Sequence, residues 1–203
     1  MKVKVCGIRE AGNIYLAEKT GVDLMGFIFY PGSSRYVGAI DPIDTDGVKR
    51  VGVFVNEDNQ RILDIARTWK LDVLQLHGNE SPEDCALFHG SDLEVVKAFS
   101  VDSEFDFARL GPYKPYIDYF LFDTKGDNYG GNGLSFDWQI LDDYPLEVPF
   151  WLSGGIGPDS VPAISLLNQP LLHVIDVNSG FEDRPGYKNI EKLKKFVDEV
   201  QDR

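Results

Sequence analysis

Eight short apolar runs, separated by longer and more polar stretches, constrain this chain more than any other feature. They are Val3–Cys6, Leu24–Phe29, Val51–Val55, Val73–Leu76, Leu93–Phe99, Ile117–Phe122, Val148–Leu152 and Leu171–Val177. They are rich in β-branched and aromatic residues and apolar nearly throughout, whereas a strand with one wet face would alternate. That pattern suits parallel strands covered on both sides. Most stretches between them read as helices. Residues 57–70 carry Ile62, Ile65, Ala66 and Trp69 at i, i+3, i+4 and i+7. Ser81-Pro82 is a helix start, with Gly90 as its stop. Residues 187–202 place Ile190, Leu193, Val197 and Val200 on one face. Shorter helices are expected over 11–20, 102–110, 136–142 and 158–168. Segment 38–49, with Pro, Gly and three Asp, makes a poor helix. Strands alternating with helices imply an α/β fold, a (β/α)8 TIM barrel. A doubly wound sheet, the rival, normally uses fewer strands. At 203 residues the expectation is one near-minimal barrel domain over 1–203.

Charge narrows the partners. Lys and Arg number 20 and Asp and Glu 33, a net charge of −13. Binding a phosphate backbone needs Lys and Arg to neutralise it, so no nucleic-acid partner is expected. A small anion is still compatible, because backbone N–H groups can hold it. Cys6 and Cys85, the two cysteines, fit neither a zinc spacing nor a disulfide framework. Residues 1–20 do not read as a signal peptide, and no apolar run approaches the roughly 20 residues of a membrane helix. The expectation is a soluble cytoplasmic protein with no membrane partner.

In a barrel of this kind, chemistry sits where strands end and the following loops begin. The first run ends in Cys6-Gly7, and a thiolate there would serve as a base; Cys85, inside a helical pattern, reads as packing. The second ends before Pro31-Gly32-Ser33-Ser34-Arg35-Tyr36, where an Arg can clamp a carboxylate through two hydrogen bonds. The fourth ends in Gln75-Leu76-His77-Gly78. His77 shares no motif with His89 or His173, so no metal site is expected. The sixth ends in Phe122-Asp123-Thr124, and a carboxylate closing an apolar strand is costly unless paired or used. The glycine-rich stretch Lys125–Gly133 follows it and reads as a binding loop. The seventh and eighth are followed by Ser153-Gly154-Gly155-Ile156-Gly157 and by Asp176-Val177-Asn178-Ser179-Gly180. Those are the two positions at which barrels often hold phosphate on backbone amides.

The stretches KVKVCGIRE, GFIFYPGSSRYV, VGVFVNE, LQLHGNES, LFDTKGDNYGGNGLSFDW, LSGGIGP and IDVNSGFEDRPGYKN run in order from residue 2 to residue 189. Together they resemble the phosphoribosylanthranilate isomerase family of tryptophan biosynthesis. The resemblance implies an Amadori rearrangement of N-(5-phosphoribosyl)anthranilate, a small phosphosugar, without cofactor or metal. It implies that Asp123 is the general acid and Cys6 the general base. It gives Arg35 the anthranilate carboxylate, and Gly154, Gly155, Ser179 and Gly180 the phosphate. His77 and Asp176 would line the substrate site, in a chain that acts as a monomer or fused to a neighbouring pathway enzyme. The chemistry needs acid and base in opposite protonation states at one pH, so a cation or amide dipole must favour the thiolate. The chain departs from the usual family pattern at Gly32, Tyr36, Asn132 and Asn178, none of them a proposed catalytic group. Two other readings stay open: another phosphosugar barrel enzyme, such as an indole-3-glycerol-phosphate synthase, and a non-catalytic phosphate-binding barrel. The latter would have no need of Cys6 or Asp123.

Overall fold

The computed structural model describes residues 1–38, 40–124, 137–167 and 169–202. Eight parallel strands close into a barrel in chain order. They are β1 (Lys2–Cys6), β2 (Leu24–Ile28), β3 (Lys49–Phe54), β4 (Val73–Leu76), β5 (Glu94–Val101), β6 (Tyr119–Thr124), β7 (Phe150–Leu152) and β8 (Leu172–Val177). The last pairing, β1 with β8 from Lys2 opposite Val174 to Val5 opposite Val177, closes the ring. Every expected strand is present, with ends shifted by up to two residues.

The alternation within each strand explains why the runs are apolar throughout. One set of side chains, including Val3, Val5, Phe27, Phe54, Leu74, Leu76, Phe120, Phe122 and Ile175, packs outward against the helices. The alternate set fills the barrel interior with Leu24, Val51, Val73, Val96, Ala98, Leu121, Trp151 and Val174. Above that plug lies a small cluster of Cys6, Ile28 and Val53. Lys4 and Cys6 share the inward parity of β1, so a lysine stands directly beneath the cysteine.

The helices are α1 (Ala11–Glu18), α2 (Asn59–Trp69), α3 (Pro82–Ala86), α4 (Val161–Leu166) and α5 (Ile190–Gln201). The covering layer is thinner than eight strand–helix units imply. No helix lies over the described part of 38–49. The helix expected over 102–110 is instead a 3₁₀ stretch at Phe107–Tyr116, because Pro112 and Pro115 have no N–H to donate to an α-helical ladder. Residues 136–142 hold a 3₁₀ stretch, Trp138–Asp143, and 158–168 divides into 3₁₀ Pro158–Ser160 followed by α4. The helix from Ser81 has its capping box but ends at Ala86. The helix expected from residue 187 starts at Ile190, capped by Asn189. Tyr187–Lys188 (β10) pairs instead with Glu182–Arg184 (β9) as an antiparallel ribbon, which reaches the barrel mouth just beyond β8.

The α2 helix ends on Lys70 in the left-handed region, at φ 48°, where glycine is the unstrained residue. Lys70→Gly is expected to raise the unfolding free energy by about 0.5–1 kcal/mol, read as a higher urea midpoint at unchanged slope. A lower midpoint would show that Lys70 makes contacts outweighing the strain.

Candidate active site

A chain of polar side chains crosses the barrel mouth from β1 to β6, hydrogen-bonded from Lys4 to His77. The buried Lys4 ammonium lies 2.6 Å from Asp176 Oδ2 and donates to Gln75 Oε1 at 2.7 Å. Strands β1 and β4 are not neighbours, so the second contact spans the barrel interior. Gln75 Oε1 is thus an acceptor, and its Nε2 donates to His77 Nδ1 at 2.8 Å. That assigns the ring hydrogen of His77 to Nε2, which faces Asp123 Oδ2 at 3.4 Å. The other Asp123 oxygen accepts from Thr124 N at 2.9 Å. Asp123 and Asp176 are only 6% and 4% exposed. Asp176 Oδ1 is buried without a hydrogen-bond partner among the described residues, which leaves it ready to accept from a ligand hydroxyl. Burial pushes Asp176 upward as an acid; Lys4 opposes this and the Asp123 charge adds to it.

Cys6 meets Lys4 across a gap left by a glycine. A Cβ on Gly26 would lie 2.8 Å from Cys6 Sγ and 2.9 Å from Lys4 Cε. Any side chain there would push the two apart. Burial raises the Cys6 thiol above its ordinary range, while the Lys4 and Lys188 charges pull it back towards the thiolate. For Lys4 itself burial acts downward, but Asp176 and Cys6 outweigh it and keep the ammonium charged. Of the charges around the Cys6 sulfur, those of Lys4 and Lys188 are the ones that favour a thiolate.

Arg35 is not a solvated surface residue; its side chain is 13% exposed. It forms a two-pronged ion pair with Glu182, Nε to Oε1 at 2.9 Å and Nη2 to Oε2 at 2.8 Å. Its stem crosses Gly7, where a Cβ would lie 2.7 Å from Arg35 Cδ. Lys188, fully buried, donates to Glu182 Oε1 at 2.7 Å and to Asn178 Oδ1 at 2.8 Å. The departure at Asn178 thus supplies a partner for a buried ammonium. At Gly32 a Cβ would lie 2.7 Å from the far end of the Tyr30 side chain, so a larger residue there would require Tyr30 to turn.

The loops after β7 and β8 are brought into contact by their glycines. Gly154 lies against the end of β6, where a Cβ would fall 2.1 Å from Thr124 Oγ1, and Gly180 against the other loop, 2.6 Å from Ile156 O. Gly155 and Gly180 are exposed and Ser179 is half-buried at the start of a 3₁₀ turn. Lys125–Gly133, with Asn132, lies outside the described residues. Among the described residues there is no group of three or more His, Cys, Asp or Glu suited to a metal ion and no helix long and apolar enough to cross a membrane.

All nine sequence-derived site residues lie at or just beyond strand ends on one rim of the barrel. Four others were missed: Lys4, Gln75, Glu182 and Lys188. Lys4 and Gln75 had a usable signal, since each precedes a candidate, Cys6 or His77, by two residues and shares its inward parity. Glu182 and Lys188 had none while the ribbon carrying Lys188 read as helix.

Comparison with known proteins identifies the family. The family model for N-(5'phosphoribosyl)anthranilate (PRA) isomerase matches residues 3–199. The chain is 45% identical over 206 residues to an N-(5'-phosphoribosyl)anthranilate isomerase of Parabacteroides distasonis, covering 98% of this chain and 93% of that one. The crystal structure of phosphoribosyl anthranilate isomerase from Thermotoga maritima superposes with a TM-score of 0.83 at 34% identity, covering 100% of each chain. A further such isomerase, solved in complex with reduced 1-(o-carboxyphenylamino)-1-deoxyribulose 5-phosphate, gives 0.81 at 32% identity, again covering 100% of each chain.

The Lys4 charge opposes burial at the Cys6 thiol more strongly than the Asp176 charge reinforces it. Lys4→Gln should therefore raise the pH at which Cys6 becomes reactive. The measurement is the pH dependence of iodoacetamide labelling at each cysteine, resolved by peptide mass spectrometry. Cys85, pushed up to about 12 by burial, should stay unlabelled at neutral pH. An unmoved or lowered midpoint for Cys6 would remove Lys4 from this role.

Proposed function

The chain belongs to the N-(5'-phosphoribosyl)anthranilate isomerase family, and we propose that it converts N-(5-phosphoribosyl)anthranilate to 1-(2-carboxyphenylamino)-1-deoxyribulose 5-phosphate with Cys6 as base and Asp123 as acid. The observation that supports the pair is the polar chain of Lys4, Gln75 and His77, which runs from beneath Cys6 to the Asp123 carboxylate.

The reaction moves protons and no net electrons. Asp123 gives a proton to the furanose ring oxygen as the bond from C1′ to that oxygen breaks and the anthranilate nitrogen forms a Schiff base. Cys6 then removes the proton from C2′, and the electron pair shifts to give an enolamine. Loss of the C2′ hydroxyl proton and protonation at C1′ complete the aminoketone. Acid and base on opposite sides of the mouth suit a reaction that takes a proton at one atom and gives one at another. Arg35 holds the anthranilate carboxylate. Asp176, through its unpartnered oxygen, accepts from a sugar hydroxyl, with His77 beside it. The amides around Gly154, Gly155, Ser179 and Gly180 receive the phosphate, where glycine lets the backbone approach the oxygens. One chain, a single barrel domain over 1–203, supplies every group, so a monomer suffices. Both cysteines are buried and unpaired, which fits a reducing compartment such as the cytoplasm.

The test generates phosphoribosylanthranilate in situ and follows its fluorescence. Protein-dependent loss is expected for the natural chain, and Cys6→Ala and Asp123→Asn should each lower kcat by about 10²–10⁴-fold with the far-UV circular dichroism unchanged. Near-normal turnover in either variant would remove that residue from its role, and no loss with the natural chain would reject the reading.

A further inference from the structure

The Arg35 guanidinium has two edges that match a carboxylate, and Glu182 occupies one. The side edge pairs Nε with Nη2, and the end edge pairs Nη1 with Nη2. Glu182 takes the side edge, with Oε1 2.9 Å from Nε and Oε2 2.8 Å from Nη2. No described residue bonds to Nη1. Glu182 is itself fixed from behind: Oε1 accepts from Lys188 Nζ at 2.7 Å and from Gly186 N at 3.0 Å. Lys188 is held in turn, its N–H donating to Asn13 Oδ1 at 2.7 Å and its carbonyl accepting from Asn13 Nδ2 at 2.9 Å. The Arg35 stem is trapped against Gly7, the residue after Cys6.

We propose that Glu182 is a positioning residue for the substrate carboxylate. It grips the side edge of Arg35 so that the end edge is presented, two donors abreast, to the ring carboxylate of the substrate. This deepens the reading of Arg35 given above and rests on it. A loose arginine would lose its side-chain freedom on each binding event, whereas one already clamped loses little. The opposite assignment makes Glu182 a competitor that must be displaced. The two differ in sign. Removing a competing negative charge would tighten binding of an anionic substrate, whereas removing a positioning group weakens it.

The experiment compares Glu182→Gln, Arg35→Ala and the double variant by KM, kcat and inhibition. The inhibitors are the reduced product and an analogue of it without the ring carboxylate. Glu182→Gln should raise KM roughly tenfold, as expected for contacting residues that act as a unit, with kcat within about twofold. Its effect on inhibition should be confined to the carboxylate-bearing compound, and it should add nothing in the Arg35→Ala background. If Glu182→Gln fails to fold, Glu182→Asp, which withdraws the carboxylate from the Nε edge, should raise KM in the same direction. An unchanged or lowered KM, equal losses for both inhibitors, or a loss additive with Arg35→Ala would overturn the proposal. A normal KM in Arg35→Ala would instead overturn the carboxylate role of Arg35 and this inference with it.

Discussion

A lysine ammonium buried inside the barrel is the constraint around which the mouth is organised. Lys4 has no exposed surface, and an ion taken out of water must be met by charge and hydrogen bonds. Asp176 supplies the charge and Gln75 the acceptor. Once Gln75 turns its oxygen to Lys4, its amide nitrogen can only donate, and the orientation of His77 follows. From His77 the order passes to Asp123. A single buried cation thus sets rotamers on β4, β6 and β8. Removing one partner of such a pair costs about 3–5 kcal/mol, which ties the geometry of the mouth to the stability of the barrel. The apolar plug below, with Trp151 5.7 Å from the ammonium, excludes water from beneath this layer.

The same layer reconciles a net charge of −13 with an anionic substrate. Positive charge is concentrated on the rim as Lys4, Arg35 and Lys188, all largely shielded from solvent. The acidic exterior governs solubility and opposes long-range approach, but a buried cation acts through a medium in which its field is poorly screened. Net charge and local potential are therefore separate quantities in this molecule.

The barrel was legible because double-sided burial leaves an unmistakable mark on eight strands. The helices were less so. Proline at 112 and 115 turned an expected α-helix into 3₁₀ geometry, and the short β9–β10 ribbon has too few residues for any periodicity to show. Cys6, Asp123 and Asp176 could be picked out because a reactive or charged side chain at the end of an apolar strand needs a reason. Lys4 escaped as a site residue because a lysine in a strand ordinarily reaches outward to water, and only closure of the barrel shows that its parity is inward. Glu182 escaped because its partner, Arg35, is 147 residues away in the chain; no local pattern encodes a contact of that kind.

Charge counting links the two halves of the rim. Lys4, Lys188 and Arg35 carry three positive charges, and Asp176 and Glu182 two negative ones. Counted as ions, these partners leave one net positive charge on the rim, and a site of low dielectric favours an anion that meets it. On the proposed reading the substrate then alters the balance. Its ring carboxylate meets that charge at the open edge of Arg35, whose stem packs against Gly7, while Glu182 keeps its place on Lys188. Recognition of the carboxylate and the positive charge at the mouth are therefore one feature of the same rim.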